Sequence, residues 1–255
     1  MYRIFAYRNG CAEEMTSLGK GLTYCCPQLA QHETPVVAFT GSGGKTTWIY
    51  GLAEELRRQG KCVAVATTTH MSEPPPAILA SDVKTAISLL EERRMAVIGL
   101  KDGKGKIVYG GDELFAVCQD LADVVLVEAD GSRRQPLKCF GLQEPVVPPC
   151  ADCIVHIAGL SAMGRPLEEA CFRWEQSGFD PCQVVTGAVF AAVVSSCLTA
   201  LRQHTELPVL PVFNQADDEL KRIWGQNMLS HMAESIGLTT FFDLEEREGI
   251  RCISL

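Results

Sequence analysis

Residues 36–47 read VVAFTGSGGKTT: a short apolar run, a glycine-rich turn, a lysine and two threonines, followed by an amphipathic stretch that reaches residue 60. A buried strand entering a helix through such a turn is the context a phosphate loop requires. Backbone N–H groups of Gly41, Ser42, Gly43, Gly44, Lys45 and Thr46 can wrap a phosphate only where side chains do not block its approach, and the helix N-terminus adds partial positive charge. Lys45 supplies a cation. Thr46, with Thr47 beside it, opens the helix and can place its hydroxyl on a Mg²⁺ bound to the same phosphates. A glycine-rich turn without a ligand is the plainer alternative. Three glycines, Lys and Thr at one strand–helix junction argue against it.

The standard spacing G-x-x-x-x-G-K-[ST] would need glycine where this chain has Phe39, so the loop is a shorter variety. T-G-S-G-G-K-T-T resembles the T-G-T-N-G-K-T-T loop of the Mur ligases, which bind ATP. Such a loop needs an acid for the metal, usually at the end of a neighbouring buried strand. VVLVEADG at residues 124–131 provides one. Glu128 fits as a Mg²⁺ ligand, through water, and Asp130, two residues on and on the same face of an extended chain, as the group that positions a nucleophile. The two roles could be exchanged. Arg133, Arg134 and Lys138 follow, three cations within six residues. They could bind a phosphorylated substrate or neutralise transition-state charge, or form a solvated surface loop. Thr67, Thr68, Thr69 and His70 end another strand on the carboxyl edge where open α/β sheets bind ligands, and Thr69 and His70 are candidates to meet the substrate.

VLPVFNQADD places Asn214, Gln215 and Asp217 after a late strand. N-Q-A-D resembles the N-K-x-D element of guanine-nucleotide-binding P-loop proteins, with Gln215 in place of lysine. An Asp there can accept from guanine N1–H and N2–H₂, whereas a helix cap at Asp217 or Asp218 is the alternative use. The loop thus points to ATP and N-Q-A-D to GTP. Phosphate loops do not discriminate bases, so the expectation leans to GTP.

The rest of the chain repeats the alternation of apolar blocks and amphipathic stretches, which predicts an α/β fold with a mostly parallel sheet and helices on both faces, of the P-loop NTPase type. Strands are expected at 36–40, 62–69, 95–100, 124–128, 154–158 and 209–213. Helices are expected at 46–60, 82–93, 112–122, 167–175, 187–204 and 218–237, with a surface hairpin around 101–110. Residues 130–149 hold four prolines and should cross the top of the sheet as a loop. TTFFDL and IRCISL are expected edge strands. Residues 1–35 show no clear period, so the nucleotide-binding domain is placed at 36–255.

Composition narrows the partners. Lys plus Arg number 23 against 31 Asp plus Glu, a net charge of −8, which disfavours a nucleic-acid-coating protein. No apolar run approaches the ~20 residues of a membrane span, and no signal-type segment opens the chain, so a cytoplasmic protein is expected. The 12 cysteines are scattered, and only Cys150 and Cys153 make a C-x-x-C, which favours packed or loop thiols over a metal site.

TGSGGKTT, TTTH, VEADGSRRQPLK, EPVVPP and NQAD, in this order over residues 36–217, resemble the YqeC family, accessory proteins for selenium-dependent molybdenum hydroxylases. The resemblance implies a P-loop protein acting in maturation of a molybdenum enzyme's cofactor, with a cofactor intermediate, the hydroxylase or its maturation enzymes as partners. The chain departs from the family's H-E-P-V-I-P and H-R-x-E. It has Gln143 and Phe172 at those histidines, whose roles do not carry over. Three readings follow: an Mg²⁺-dependent triphosphatase using Lys45, Glu128 and Asp130; a nucleotide-gated module that delivers cofactor or metal to a partner; and a Mur-type ATP-dependent ligase, for which 255 residues leave little room.

Overall fold

The apolar blocks pair into one large sheet in the computed structural model, which describes residues 3–8, 11–232 and 236–241. Its strands in chain order are β1 (Arg3–Arg8), β2 (Cys11–Met15), β3 (Val36–Gly41), β4 (Val63–Thr67) and β5 (Leu79–Ala80), then β6 (Met95–Ile98), β7 (Val124–Glu128), β8 (Cys153–Gly159), β9 (Val209–Asn214) and β10 (Ile236–Phe241). They lie side by side as β2-β1-β10-β9-β8-β3-β7-β4-β6-β5. Eight run parallel from β10 to β5, and β1 and β2 close one side antiparallel. The parallel centre explains its unbroken apolar runs, because both faces are covered.

The helices are α1 (Leu18–Cys25), α2 (Lys45–Arg58), α3 (Val83–Arg93), α4 (Asp112–Leu121), α5 (Leu167–Ala170), α6 (Gly187–His204) and α7 (Glu219–His231). Trp48, Ile49 and Leu52 of α2, with Leu18 and Leu22 of α1, pack on Val37, Phe39, Val65 and Leu126. The alternate residues of the same strands face α3 and α4 through Ala64, Val125, Leu90 and Leu114. Phe190, Val193 and Val194 of α6 pack beside Ala158 and Phe213. The Asp82 carboxylate caps α3 by accepting from Thr85 N at 2.9 Å, which sets its start where the sequence placed it.

Four expectations change. The helix expected over 218–237 is α7, Glu219–His231, and residues 236–237 belong to β10. Residues 167–175 are not one helix: α5 stops at Ala170, Cys171–Phe172 pairs in parallel with Leu137–Lys138, and Arg173 turns with φ 59°. The pairing across two loops satisfies backbone groups that a longer helix would have used internally. Thr239–Phe241 of the expected TTFFDL edge strand lie in β10, an interior strand, because β1 pairs along its outer side, and residues 242–244 lie outside the described residues; the edge on this side is β2, whose CAEEM is exposed and charged. Residues 1–35, which show no period, supply β1, β2 and α1 to this same sheet and core. IRCISL lies outside the described residues. No helix among those described is long and apolar enough to cross a membrane.

Candidate active site at the carboxyl edge

At the end of β3 the backbone turns sharply through Gly43 and Gly44, with φ of 80° and 109°. A Cβ on Gly43 would lie 2.3 Å from Gly159 N, and one on Gly44 would lie 2.4 Å from Asn214 Nδ2. The loop is therefore pressed against the end of β8 and the end of β9, which only glycine permits. Gly44 precedes α2 without a side-chain cap, so the first-turn N–H groups point into the loop. Ser42 Oγ is buried with no hydrogen-bond partner among the described residues, and Thr47 sits partly buried in the first turn. The cradle, the open helix end and the spare hydroxyl fit a phosphate group.

Lys45 is buried and its Nζ donates to Gly41 O at 2.5 Å while pairing with Asp130 Oδ1 at 2.9 Å. Asp130, fully buried after β7, also accepts from Gly41 N at 2.9 Å and pairs through Oδ2 with Lys138 Nζ at 3.0 Å. Lys138 in turn pairs with Glu144 at 2.7 Å and donates to Gly131 O at 2.7 Å, and Glu144 meets Arg173. Burial raises the Asp130 carboxyl, but Lys45 and Lys138 outweigh it and hold it below the usual carboxylate range. Burial lowers the Lys45 amine, and Asp130 and Glu128 reverse the sign and raise it. Both groups are charged.

Glu128 ends β7 beside the loop and accepts from Thr46 Oγ1 at 3.1 Å. Its burial raises the carboxyl against the opposing pull of Lys45 and Thr46. A hydroxyl and a carboxylate in contact are hard oxygen donors of the kind Mg²⁺ takes, with phosphate and water completing the shell. The donor chemistry fits that ion. Among the described residues no cluster of three His, Cys, Asp or Glu could hold a metal unaided.

The other residues singled out from the sequence divide. Thr67 Oγ1 donates to Glu128 O at 3.0 Å and accepts from Thr69 N at 3.1 Å, while Thr69 Oγ1 is buried without a partner among the described residues. His70 is exposed and opens a short strand that pairs with Lys106–Val108. Arg133 and Arg134 are exposed in left-handed turns, Arg133 resting over the Phe172 ring at 5.2 Å; of the three cations only Lys138 joins the buried cluster. Asn214 Nδ2 donates to Gly43 O at 2.8 Å, bracing the loop. Asp217 lines a cavity of about 140 Å³ with residues of β1, β10 and α7. Cys153 is a core residue whose Sγ lies 3.4 Å from that of Cys26, and Cys150 is exposed.

Sequence reasoning missed Glu144, Arg173 and His156. Glu144 and Arg173 stand in the two segments quoted as family motifs, a signal that could have marked them as partners. His156 had none, being one polar residue in an apolar strand. Its Nδ1 is 3.0 Å from Thr40 Oγ1, and burial lowers its pKa to about 4, so it is neutral beside the loop.

A glycine cradle between a parallel strand and a helix, with Lys45 and Thr46 inside it and Glu128 at the end of the adjoining strand, defines the P-loop NTPase class. Within it, the chain belongs to the YqeC family, whose profile, described as YqeC protein, matches residues 37–175. A relative from Escherichia coli (strain K12), named Uncharacterized protein YqeC, is 28% identical over 235 residues, 89% of this chain and 88% of its own. Among solved structures, the chain is similar to the MinD cell division protein of Aquifex aeolicus, with a TM-score of 0.42 and 12% identity over 78% of each chain. It is also similar to HypB from Helicobacter pylori in complex with nickel, with a TM-score of 0.37 and 9% identity over 89% of this chain and 88% of that one.

Proposed function

We propose that this protein is an Mg²⁺-dependent nucleoside triphosphatase, binding ATP or GTP, that assists maturation of the cofactor of a selenium-dependent molybdenum hydroxylase. The observation that carries the catalytic part is the convergence of Lys45, Thr46, Glu128 and Asp130 on one glycine loop. Lys45 and the loop N–H groups bind the phosphates and stabilise the charge that migrates during phosphoryl transfer. Thr46 and Glu128 would hold Mg²⁺, which neutralises charge on the phosphate oxygens. Asp130 sets the positions of Lys45 and Gly41, and in this reading would orient water once a bound phosphate takes up Lys45. Asp217 is the residue proposed to read the base. The cofactor role and a partner among the maturation enzymes rest on the family resemblance.

Calorimetric titration tests the binding part. Lys45→Ala is expected to weaken ATP or GTP by tenfold or more, about 1.4 kcal/mol, and unchanged affinity would sink the assignment. Glu128→Gln should reduce turnover more than affinity.

One observation favours the gated-module reading as well. Asp130 bridges Lys45 to Lys138, so a phosphate that competes for Lys45 perturbs the same carboxylate that holds Lys138 and, through Glu144, the loop of residues 130–149. If so, nucleotide changes protease sensitivity of that loop in the wild type and not in Lys138→Met. Identical digestion in all four samples speaks against gating.

A further inference from the structure

The cavity beside Asp217 has features that the phosphate site does not explain. Thr239 and Arg222 both line it; Thr239 Oγ1 and Arg222 Nε are buried with no hydrogen-bond partner among the described residues, while the guanidinium pairs with Glu219 through Nη2. Thr239 is 1% exposed. Buried polar atoms are nearly always partnered, so two that share one small cavity call for a polar occupant. It holds about 140 Å³ and is partly open, so the edge of a ring can enter without the whole ring being enclosed. Phe5 forms an apolar wall, and the guanidinium groups of Arg3 and Arg222 lie 5.0 and 4.9 Å from its ring centroid, which holds wall and donor in place.

The position is equally specific. Strands in a sheet are ~4.8 Å apart, so β9 and β10 stand roughly 10 to 14 Å from the phosphate loop on the same carboxyl edge. In a nucleoside triphosphate the α-phosphate and ribose together lie between a loop-bound β-phosphate and the base, which carries the base toward these strands. The cavity wall is also tied directly to the loop: Thr240 Oγ1 donates to Asn214 Oδ1 at 2.9 Å, and Asn214 donates to Gly43 O. Antiparallel pairing of β1 with β10 sets Phe5 opposite Thr239, so the N-terminal strand completes the enclosure.

We infer that this cavity is the nucleobase subsite, that Arg222 and Thr239 determine base specificity, and that the base is guanine; the inference rests on the nucleotide-binding reading above. Arg222 Nε only donates and the Asp217 carboxylate only accepts. That pair matches guanine O6 next to N1–H and N2–H₂, whereas adenine puts an amino donor where O6 would be.

The test is titration of GTP, ATP and inorganic tripolyphosphate, each with Mg²⁺, into wild type, Thr239→Val and Arg222→Lys. Thr239→Val keeps the shape and removes a hydroxyl that has no partner, so a purely structural role predicts equal or greater thermal stability and unchanged binding. The inference predicts unchanged or higher stability together with about tenfold weaker GTP, and tripolyphosphate affinity as in wild type for both variants. Unchanged GTP affinity in both, a parallel fall for tripolyphosphate, or a wild type that prefers ATP overturns it. A wild type that binds no triphosphate at all overturns the nucleotide-binding reading itself.

Discussion

Around Lys45 the buried charges are matched: Asp130 lies between Lys45 and Lys138, and Glu144 between Lys138 and Arg173. Around Arg222, three strands away along the same edge, the guanidinium pairs with Glu219 through Nη2, but its Nε and the Thr239 hydroxyl have no hydrogen-bond partner among the described residues. The difference teaches how one edge divides its work. A loop that must hold a polyanion needs its cations charged and fixed beforehand, which the acids ensure. A pocket that must select a ring needs hydrogen-bonding groups kept for the ligand.

The largest effect is expected where the matching is broken. Asp130→Asn leaves Lys45 and Lys138 buried without their shared anion and should cost about 3 to 5 kcal/mol in urea denaturation. Because its folded carboxyl is lowered, the stability Asp130 contributes is present above the unfolded carboxylate range, near pH 4, and is lost as pH falls through the folded value. The variant's acid limb should flatten there. A loss below 1 kcal/mol would mean that the charges around Lys45 are as loosely coupled as surface pairs.

His156 sharpens the comparison by pH. Its folded pKa of about 4 lies below the ordinary 6.5, so the unfolded chain takes the proton first. Stability should fall as pH drops from about 6.5 to about 4, by on the order of 3 kcal/mol, and level off below. His156→Gln should remove that part of the slope, and an identical slope in the variant would place the titration elsewhere.

Smaller effects are expected from the backbone. Gly44→Ala meets Asn214 and a φ of 109°, and should lower stability by about 1 to 3 kcal/mol while weakening triphosphate binding. At the other end, Asp218 Oδ1 accepts from Lys221 N at 2.8 Å near the start of α7. Asp218→Ala should cost about 1 kcal/mol with no change in tripolyphosphate affinity. Equal binding losses in the two variants would erase the distinction between the regions.

Much of this was readable along the chain. The strand–loop–helix at residues 36–58, the acid at the end of β7, the extent of α3 and the span of α6 follow from hydrophobic period and glycine chemistry, which act within a few residues. The sequence makes Asn214 a candidate nucleotide contact, and the structure adds a bond from its amide to the loop backbone, which depends on where β9 lies relative to β3. Helix 167–175 failed for a related reason: its backbone partners sit at Leu137–Lys138, far away in sequence.

Local chemistry therefore dictated the glycine loop, the acid at the end of β7 and the layered α/β architecture, because a strand's apolar period and a glycine's freedom need no distant partner. Folding selected which charges meet. Arg133, Arg134 and Lys138 were equivalent along an irregular loop, yet Lys138 alone of the three reaches Asp130, because Leu137–Lys138 is pinned to Cys171–Phe172. In the same way β1, aperiodic when read along the chain, walls the base cavity only because antiparallel pairing carries it to β10, a contact across more than 230 residues that no local pattern encodes.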